Sequence, residues 1–224
     1  LRADRSLARA KCLAPGSTAA TLPPGMLELL LVPAAQDSVA SGDFSRLSLD
    51  AQLLTSVQSY LDQYRLLTTT INLREPRYIG VRARVRIVAT DLTPPDLAQA
   101  RVVEALRRYL SPLPPVTGEM ILPDGAGEGK WKGWEFGKPL YVAELYALVQ
   151  RVPGVRHVLD VHLESRPMDL ARERAAVGGL EAYAASVAPG GPIPEPVAVT
   201  GNVLAIPGDG LLCSLDHQVE VVSL

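Results

Sequence analysis

The sequence predicts an α+β fold: two small sheet-plus-helix units followed by an extended C-terminal β arm. Three observations carry this. Ile79, Val81, Ala83, Val85, Ile87 and Ala89 alternate with Gly80, Arg82, Arg84, Arg86 and Val88, the period of two that marks a strand with one apolar face. Two apolar stripes at three- and four-residue spacing, over residues 49–64 and 97–110, mark one amphipathic helix in each half. Beyond Met168 the chain becomes rich in Ala, Pro and Gly and ends in two strand-like runs. The chain therefore divides into a first α+β unit at 1–75, a second at 76–165 that carries an aromatic loop, and a linker with a β arm at 166–224.

The elements follow in order. Leu7 to Leu13 reads as a strand, and Met26 to Val32 is a continuous apolar run expected of a strand covered on both faces. Ala34 to Leu47 reads as a loop. Ser48 offers a helix N-cap, and Leu49, Leu53, Leu54, Val57, Tyr60, Leu61 and Tyr64 supply the buried stripe behind it. A strand at Thr68 to Leu73 closes the first unit. In the second, the Ile79–Ala89 strand leads to Thr93-Pro94-Pro95-Asp96, a capping Thr followed by a first-turn Pro and acid. The helix this starts ends at Ser111-Pro112-Leu113-Pro114-Pro115. A glycine-containing loop at Val116 to Lys132 precedes a helix from about Tyr141 to Gln150 and a strand at Val155 to Leu163. In the tail, Met168 to Ala185 has helical composition and Val187 to Pro196 reads as a linker. Val197 to Ile206 and Leu211 to Leu224 read as strands joined by Pro207-Gly208-Asp209-Gly210. They are expected to pair as a hairpin or to add to the sheet edge of a neighbouring chain.

Composition limits the function classes. Hydrophobic residues make up 47% of the 224 residues and aromatics only 5%, so aliphatic side chains must build the core. With 22 basic and 24 acidic residues the net charge is -2, which gives no electrostatic basis for nucleic-acid or membrane-surface partners. Cys12 and Cys213 lie near opposite ends. They form neither a disulfide framework nor a zinc motif, and read as buried free thiols in a reducing compartment. No apolar run approaches the length of a membrane span.

Each candidate for chemistry has a structural explanation beside it. Ser214, Asp216 and His217 contain the residue types of a hydrolase triad. On a strand, however, Ser214 and Asp216 would share one face and His217 the other, and no nucleophile elbow surrounds Ser214. His157 and His162 fall on opposite faces of one strand. Asp160 and Glu164 flank His162 on its own face, either as a metal or acid–base trio or as a solvated edge. Asp124 to Lys130 is Gly-rich but lacks the ending of a phosphate loop and the spacing of a calcium loop. Arg82, Arg84 and Arg86 form a basic row, either solvated or facing an acidic partner. No catalytic, metal or cofactor site emerges from these residues.

The most informative segment is Gly133-Trp134-Glu135-Phe136-Gly137-Lys138-Pro139-Leu140-Tyr141, which runs straight into a helix. The chain has two Trp and two Phe, and one of each is used here. Trp131, Trp134, Phe136 and Tyr141, with the arginine row, are the interface candidates: either they lock their own domain or they meet a partner.

Taken with Pro76-Arg77-Tyr78-Ile79-Gly80-Val81, the helix Ala100–Leu110, Val152-Pro153-Gly154-Val155, the run Tyr60–Thr69 and the closing Ile206–Val221, this segment resembles the baseplate J-like assembly (wedge) proteins of contractile phage tails and contractile injection systems. The likeness covers nearly the whole chain, which corresponds to the C-terminal portion of such proteins; the loop Val116–Lys132 is longer than the family pattern. A larger N-terminal region is expected ahead of Leu1. The resemblance implies a structural role without catalytic residues or cofactor, in a particle assembled in the bacterial cytoplasm. The implied partners are other wedge subunits, the hub and spike, and sheath-proximal proteins, within a six-fold hetero-oligomer. On this reading apolar and aromatic contacts hold a wedge together, while weaker polar contacts between wedges rearrange on firing. Alanine at Trp134 and Phe136 is then expected to block ring assembly and leave the chain soluble. The alternatives are a small hydrolase using Ser214 and His217, or an oligomerising adaptor of an unrelated complex.

Overall fold

The structure is a computed structural model that describes residues 6–16, 22–115, 120–123, 131–170, 173 and 193–222. It is an α+β fold built on two main sheets. In the first, β1 (Leu7–Leu13) lies antiparallel to β2 (Met26–Pro33), and β3 (Thr70–Arg74) lies parallel to β2 on its other side. The apolar run of β2 is covered on both faces, as its sequence requires: Leu31 packs under a helix with Leu53 and Val57, while Val32 faces a second cluster with Phe44 and Leu47.

The segment read as a loop at 34–47 contains a short helix α1 (Gln36–Ala40) and a single 3-10 turn (Ser45–Leu47). Helix α2 (Ala51–Asp62) starts later than Ser48 because Asp50 is its cap, with Oδ1 accepting from the Leu53 amide at 2.6 Å. Ser48 instead closes the 3-10 turn, and Leu49 N–H is taken by Glu75 Oε1 at 2.6 Å.

The second sheet is organised on β4 (Arg77–Ala89), which pairs antiparallel along its length with β6 (Val155–Pro167). Helix α3 (Pro95–Tyr109), strand β5 (Leu140–Tyr141) and helix α4 (Val142–Gln150) lie between them in sequence. Both helices cover one face of the sheet. Val81, Ala83, Val85 and Ile87 of β4 pack there with Val102, Leu106, Leu145 and Leu148, all buried. Burying each Val, Ile or Leu of this set contributes about 1.5–3 kcal/mol. The cap of α3 is Pro94, one residue later than Thr93, whose Oγ1 is engaged by Thr90 Oγ1 at 2.8 Å. Asp96 in the first turn and Arg107 and Arg108 in the last complement the helix dipole.

The C-terminal strands are present, but they form no hairpin. Strand β7 (Val197–Ala198) pairs with β6 and β8 (Val203–Leu204) with β5, while β9 (Gly210–Ser214) and β10 (Gln218–Val221) lie one after the other, parallel, along β4. The reason is burial. Leu211, Leu212 and Cys213 are sealed on both faces, with Leu212 in the helix-covered core and Leu211 and Cys213 in the opposite cluster. A free hairpin would leave one of these faces in water. That opposite cluster joins the two sheets: Val32, Phe44 and Leu47 meet Tyr78, Leu113, Leu211 and Leu215. The Asp124–Lys130 loop, most of Met168–Ala185 and residues 187–192 lie outside the described residues.

Candidate functional site

The aromatic loop is the meeting point of β1, the end of α3 and the C-terminal segment. Gly133 opens it at φ +85°, so close to the chain that a Cβ would lie 2.5 Å from the Pro112 carbonyl oxygen. This fixes the entry of Trp134, whose amide donates to Ser111 O at 2.8 Å. The Trp134 side chain is 0% exposed. Its Nε1 donates to Lys138 O at 3.0 Å, and its ring meets Tyr109 edge-on with centroids 5.4 Å apart. Tyr109 in turn stacks on Trp131 at 5.2 Å. Gly137 turns the loop back at φ +72° beside Gly208, and its amide donates to Gly210 O at 3.0 Å.

Two cations of β1 clasp this loop. Arg9 donates to the carbonyls of Pro112 and Trp134, both at 2.6 Å, and lies over the Phe136 ring 4.8 Å from its centroid. Lys11 reaches Gly208 O at 2.9 Å and Phe136 O at 3.4 Å. Burial pulls the Arg9 pKa down, against the favourable fields of Glu135 and Tyr78. Below the clasp, Asp209 accepts from Arg74 and Arg77, each at 3.0 Å.

Of the interface candidates, Trp134 is interior, Trp131 and Phe136 are half-buried, and Tyr141 is 44% exposed opposite Val203 across the β5–β8 pair. The arginine row faces away from the helices and is matched by acids of the same chain. Arg84 meets Glu164 at 2.9 Å, Arg86 meets Glu220 at 3.2 Å, and Arg82 lies 3.6 Å from both Glu164 and Glu195.

The candidates for chemistry are placed differently from the strand reading. The chain turns between β9 and β10, so Ser214 and His217 come together inside the protein, with Oγ and Nε2 2.8 Å apart. The Ala83 amide donates to His217 Nδ1 at 3.0 Å. Nδ1 is therefore the acceptor nitrogen, and the ring proton sits on Nε2, pointing at Ser214. A general base needs the opposite tautomer. Burial, reinforced by the positive Arg107 and Arg82, lowers the His217 pKa to about 3. Asp216 is turned outward towards Arg107 at 3.8 Å and does not orient the imidazole. The pair is a buried structural contact.

His162 pairs with Asp160 at 2.7 Å, but Glu164 turns to Arg84, so the supposed trio does not assemble. No group of three or more His, Cys, Asp and Glu among the described residues could hold a metal ion. Cys213 is buried, which pushes its thiol pKa up, whereas Cys12 is exposed rather than buried. No helix among the described residues is long and apolar enough to cross a membrane.

Sequence reasoning missed Arg9, Lys11 and Asp209. The alternation of Arg9 and Lys11 with Ala8, Ala10 and Cys12 was the available signal for the first two. Asp209 looked like an ordinary turn residue.

No family model matches the sequence. Nor does any curated protein. The fold is similar to that of a chain in the cryo-EM structure of the anti-feeding prophage (AFP) baseplate, 6-fold symmetrised, with a TM-score of 0.55 at 15% sequence identity, covering 96% of this chain and 35% of that one. The present chain thus spans about a third of the length of that chain.

Proposed function

We propose that this chain is a structural subunit of the baseplate of a contractile injection system or phage tail, and within it a wedge subunit. The observation that carries the reading is the fold likeness to a baseplate chain over 96% of the present chain. The two sheets share a continuous apolar cluster, and the clasp of Arg9 and Lys11 ties β1 to the aromatic loop and the C-terminal segment.

In this role the loop's large residues divide. Trp134 serves the fold of its own chain, while Tyr141, with Val203 beside it, is the aromatic available to a neighbouring subunit. Partners are other wedge subunits, hub and spike proteins and sheath-proximal proteins. The charged face bearing Arg84 and Arg86 gives polar contacts between wedges that can exchange partners on firing, because the Arg86–Glu220 pair is exposed on both sides and individually weak.

The test is affinity purification of the tagged chain from cells assembling the particle. Co-purification of sheath, tube and spike proteins is expected, and their absence from particle-forming cells would overturn the proposal. Labelling of Ser214 by a serine-directed phosphonate probe would instead favour an enzyme.

A further inference from the structure

The C-terminal segment Ile193–Val222 contains four strands, and among the described residues none pairs with another. Strand β7 pairs only with β6, β8 only with β5, and β9 and β10 only with β4. Its further backbone contacts with the body follow the same pattern: Val199 N–H to Leu163 O, Leu215 N–H to Val81 O, Val222 N–H to Ile87 O, Asn202 O to Val142 N–H, Asp209 O to Arg77 N–H, and Gly210 O to Gly137 N–H. Its apolar side chains Ile206, Leu211, Leu212, Leu215 and Val219 enter clusters built by the body. The segment therefore has no core of its own. It is an arm that is ordered only by a body.

From this we infer that the arm is exchangeable between copies of this chain: Ile193–Val222 of one copy can complete the β4–β6 sheet of a second copy and receive its arm in return. The occupant is specified by the contacts themselves. A second copy offers the same register, the same clusters and the same Asp209 and His217 partners, so exchange neither gains nor loses a contact. What differs is the connection. The 19 residues 174–192 can span up to about 65 Å at roughly 3.3–3.6 Å per residue, enough to reach an adjacent protein of this size. In dilute solution the high effective concentration of the tethered arm keeps it on its own body. Exchange is favoured when copies fold side by side, and it then links them without any new surface. This inference concerns the chain's own architecture and does not depend on the baseplate reading.

The test uses Ser165 and Val197, which are direct partners across β6 and β7. Such a pair has Cα atoms about 4.5–5.5 Å apart, within disulfide range. Differently tagged Ser165→Cys and Val197→Cys chains, both in a Cys12→Ser background, are co-expressed, oxidised and run without reductant. A single chain carrying both substitutions serves as the control for the register. The expected result is a disulfide-linked Ser165→Cys/Val197→Cys heterodimer in many-fold excess over the homodimer of either variant, together with closure of the same disulfide in the control, within one chain or between exchanged copies. A heterodimer no more abundant than the homodimers would overturn exchange. A control that forms no disulfide at all, neither within one chain nor between two copies, would also overturn it, because the arm would then not occupy this seat. Neither result bears on co-purification with sheath, tube and spike, so the two proposals fail separately.

Discussion

Arg9 on the first strand donates to the main-chain carbonyl of Trp134, 125 residues away, at 2.6 Å. The same guanidinium takes the Pro112 carbonyl and lies over Phe136. A planar fork suits two carbonyls and an aromatic face at once, whereas an ammonium acts as a point donor. Arg9→Ala is therefore expected to lower unfolding stability by about 1–3 kcal/mol, and Arg9→Lys by less. Urea denaturation of the three proteins checks this, and an unchanged midpoint in Arg9→Ala would remove the clasp from the account.

Gly133 sets the course of the same loop. Alanine there would face both a left-handed backbone at φ +85° and main-chain atoms of Pro112 and Leu113 within 3 Å. Gly42 has a similar φ of +84° with no atom within 4 Å. Gly42→Ala should therefore carry only the backbone strain, about 1–2 kcal/mol, whereas Gly133→Ala should cost clearly more and displace Trp134. Thermal melts of the two variants, with Trp fluorescence, separate these cases. Equal losses would mean that the close approach to Pro112 has no energetic weight.

Burial of Trp134 changes what its removal would report. Replacing a fully enclosed Trp by Ala typically costs about 3–5 kcal/mol, so Trp134→Ala should weaken the fold itself. Tyr141→Ala, at a half-exposed position, should leave the melting temperature nearly unchanged and, under the proposed baseplate role, still reduce assembly into particles. Normal particle yield from Tyr141→Ala would exclude that residue from the subunit contact.

The strand β4 was legible because one of its faces meets helices and the other meets charge, so the pattern alternates. Strand β9 gave no such signal, since Leu211, Leu212 and Cys213 are buried on both sides. Its pairing with residues more than a hundred positions earlier has no local signature. The helix starts moved by one or two residues because neighbouring residues compete for the cap: Ser48 ends the 3-10 turn, and the Asp50 carboxylate takes the Leu53 amide. The clasp was illegible for a different reason. Arg9 and Lys11 bind carbonyl oxygens, which every residue carries, so the targets leave no trace in composition. Ser214 and His217 were assigned to opposite faces because a continuous strand was assumed, and the turn after β9 brings them together.

Asp209 is the anchor of the turn that leads into β9. Its side chain is only 4% exposed and is held by Arg74 and Arg77. Asp209→Asn leaves two cations facing a neutral amide and is expected to destabilise by about 2–4 kcal/mol. Arg77→Ala should cost much less, because the Arg77 side chain is 72% exposed and its contribution is screened by water. Denaturant midpoints in low and high salt test both variants. A loss in Arg77→Ala as large as in Asp209→Asn would contradict the assignment of the carboxylate as the buried partner.

His217 gives the fold a pH dependence whose sign is fixed by its seat. Its folded pKa is lowered to about 3 from an ordinary 6.5, chiefly by burial and then by Arg107 and Arg82. Between those values the unfolded chain binds the proton and the folded chain does not, so stability rises with pH across the window. The contribution is complete above about pH 6.5 and is lost as the pH falls towards 3, at up to about 1.4 kcal/mol per unit. Carboxylates add their own acid dependence lower down, so pH 7 to 5 is the diagnostic range. There the urea midpoint of the native chain should fall. His217→Gln keeps an acceptor and a donor for Ala83 and Ser214 but has nothing to protonate, so its midpoint should start lower and stay nearly flat. Parallel slopes for the two proteins would show that another group controls the transition.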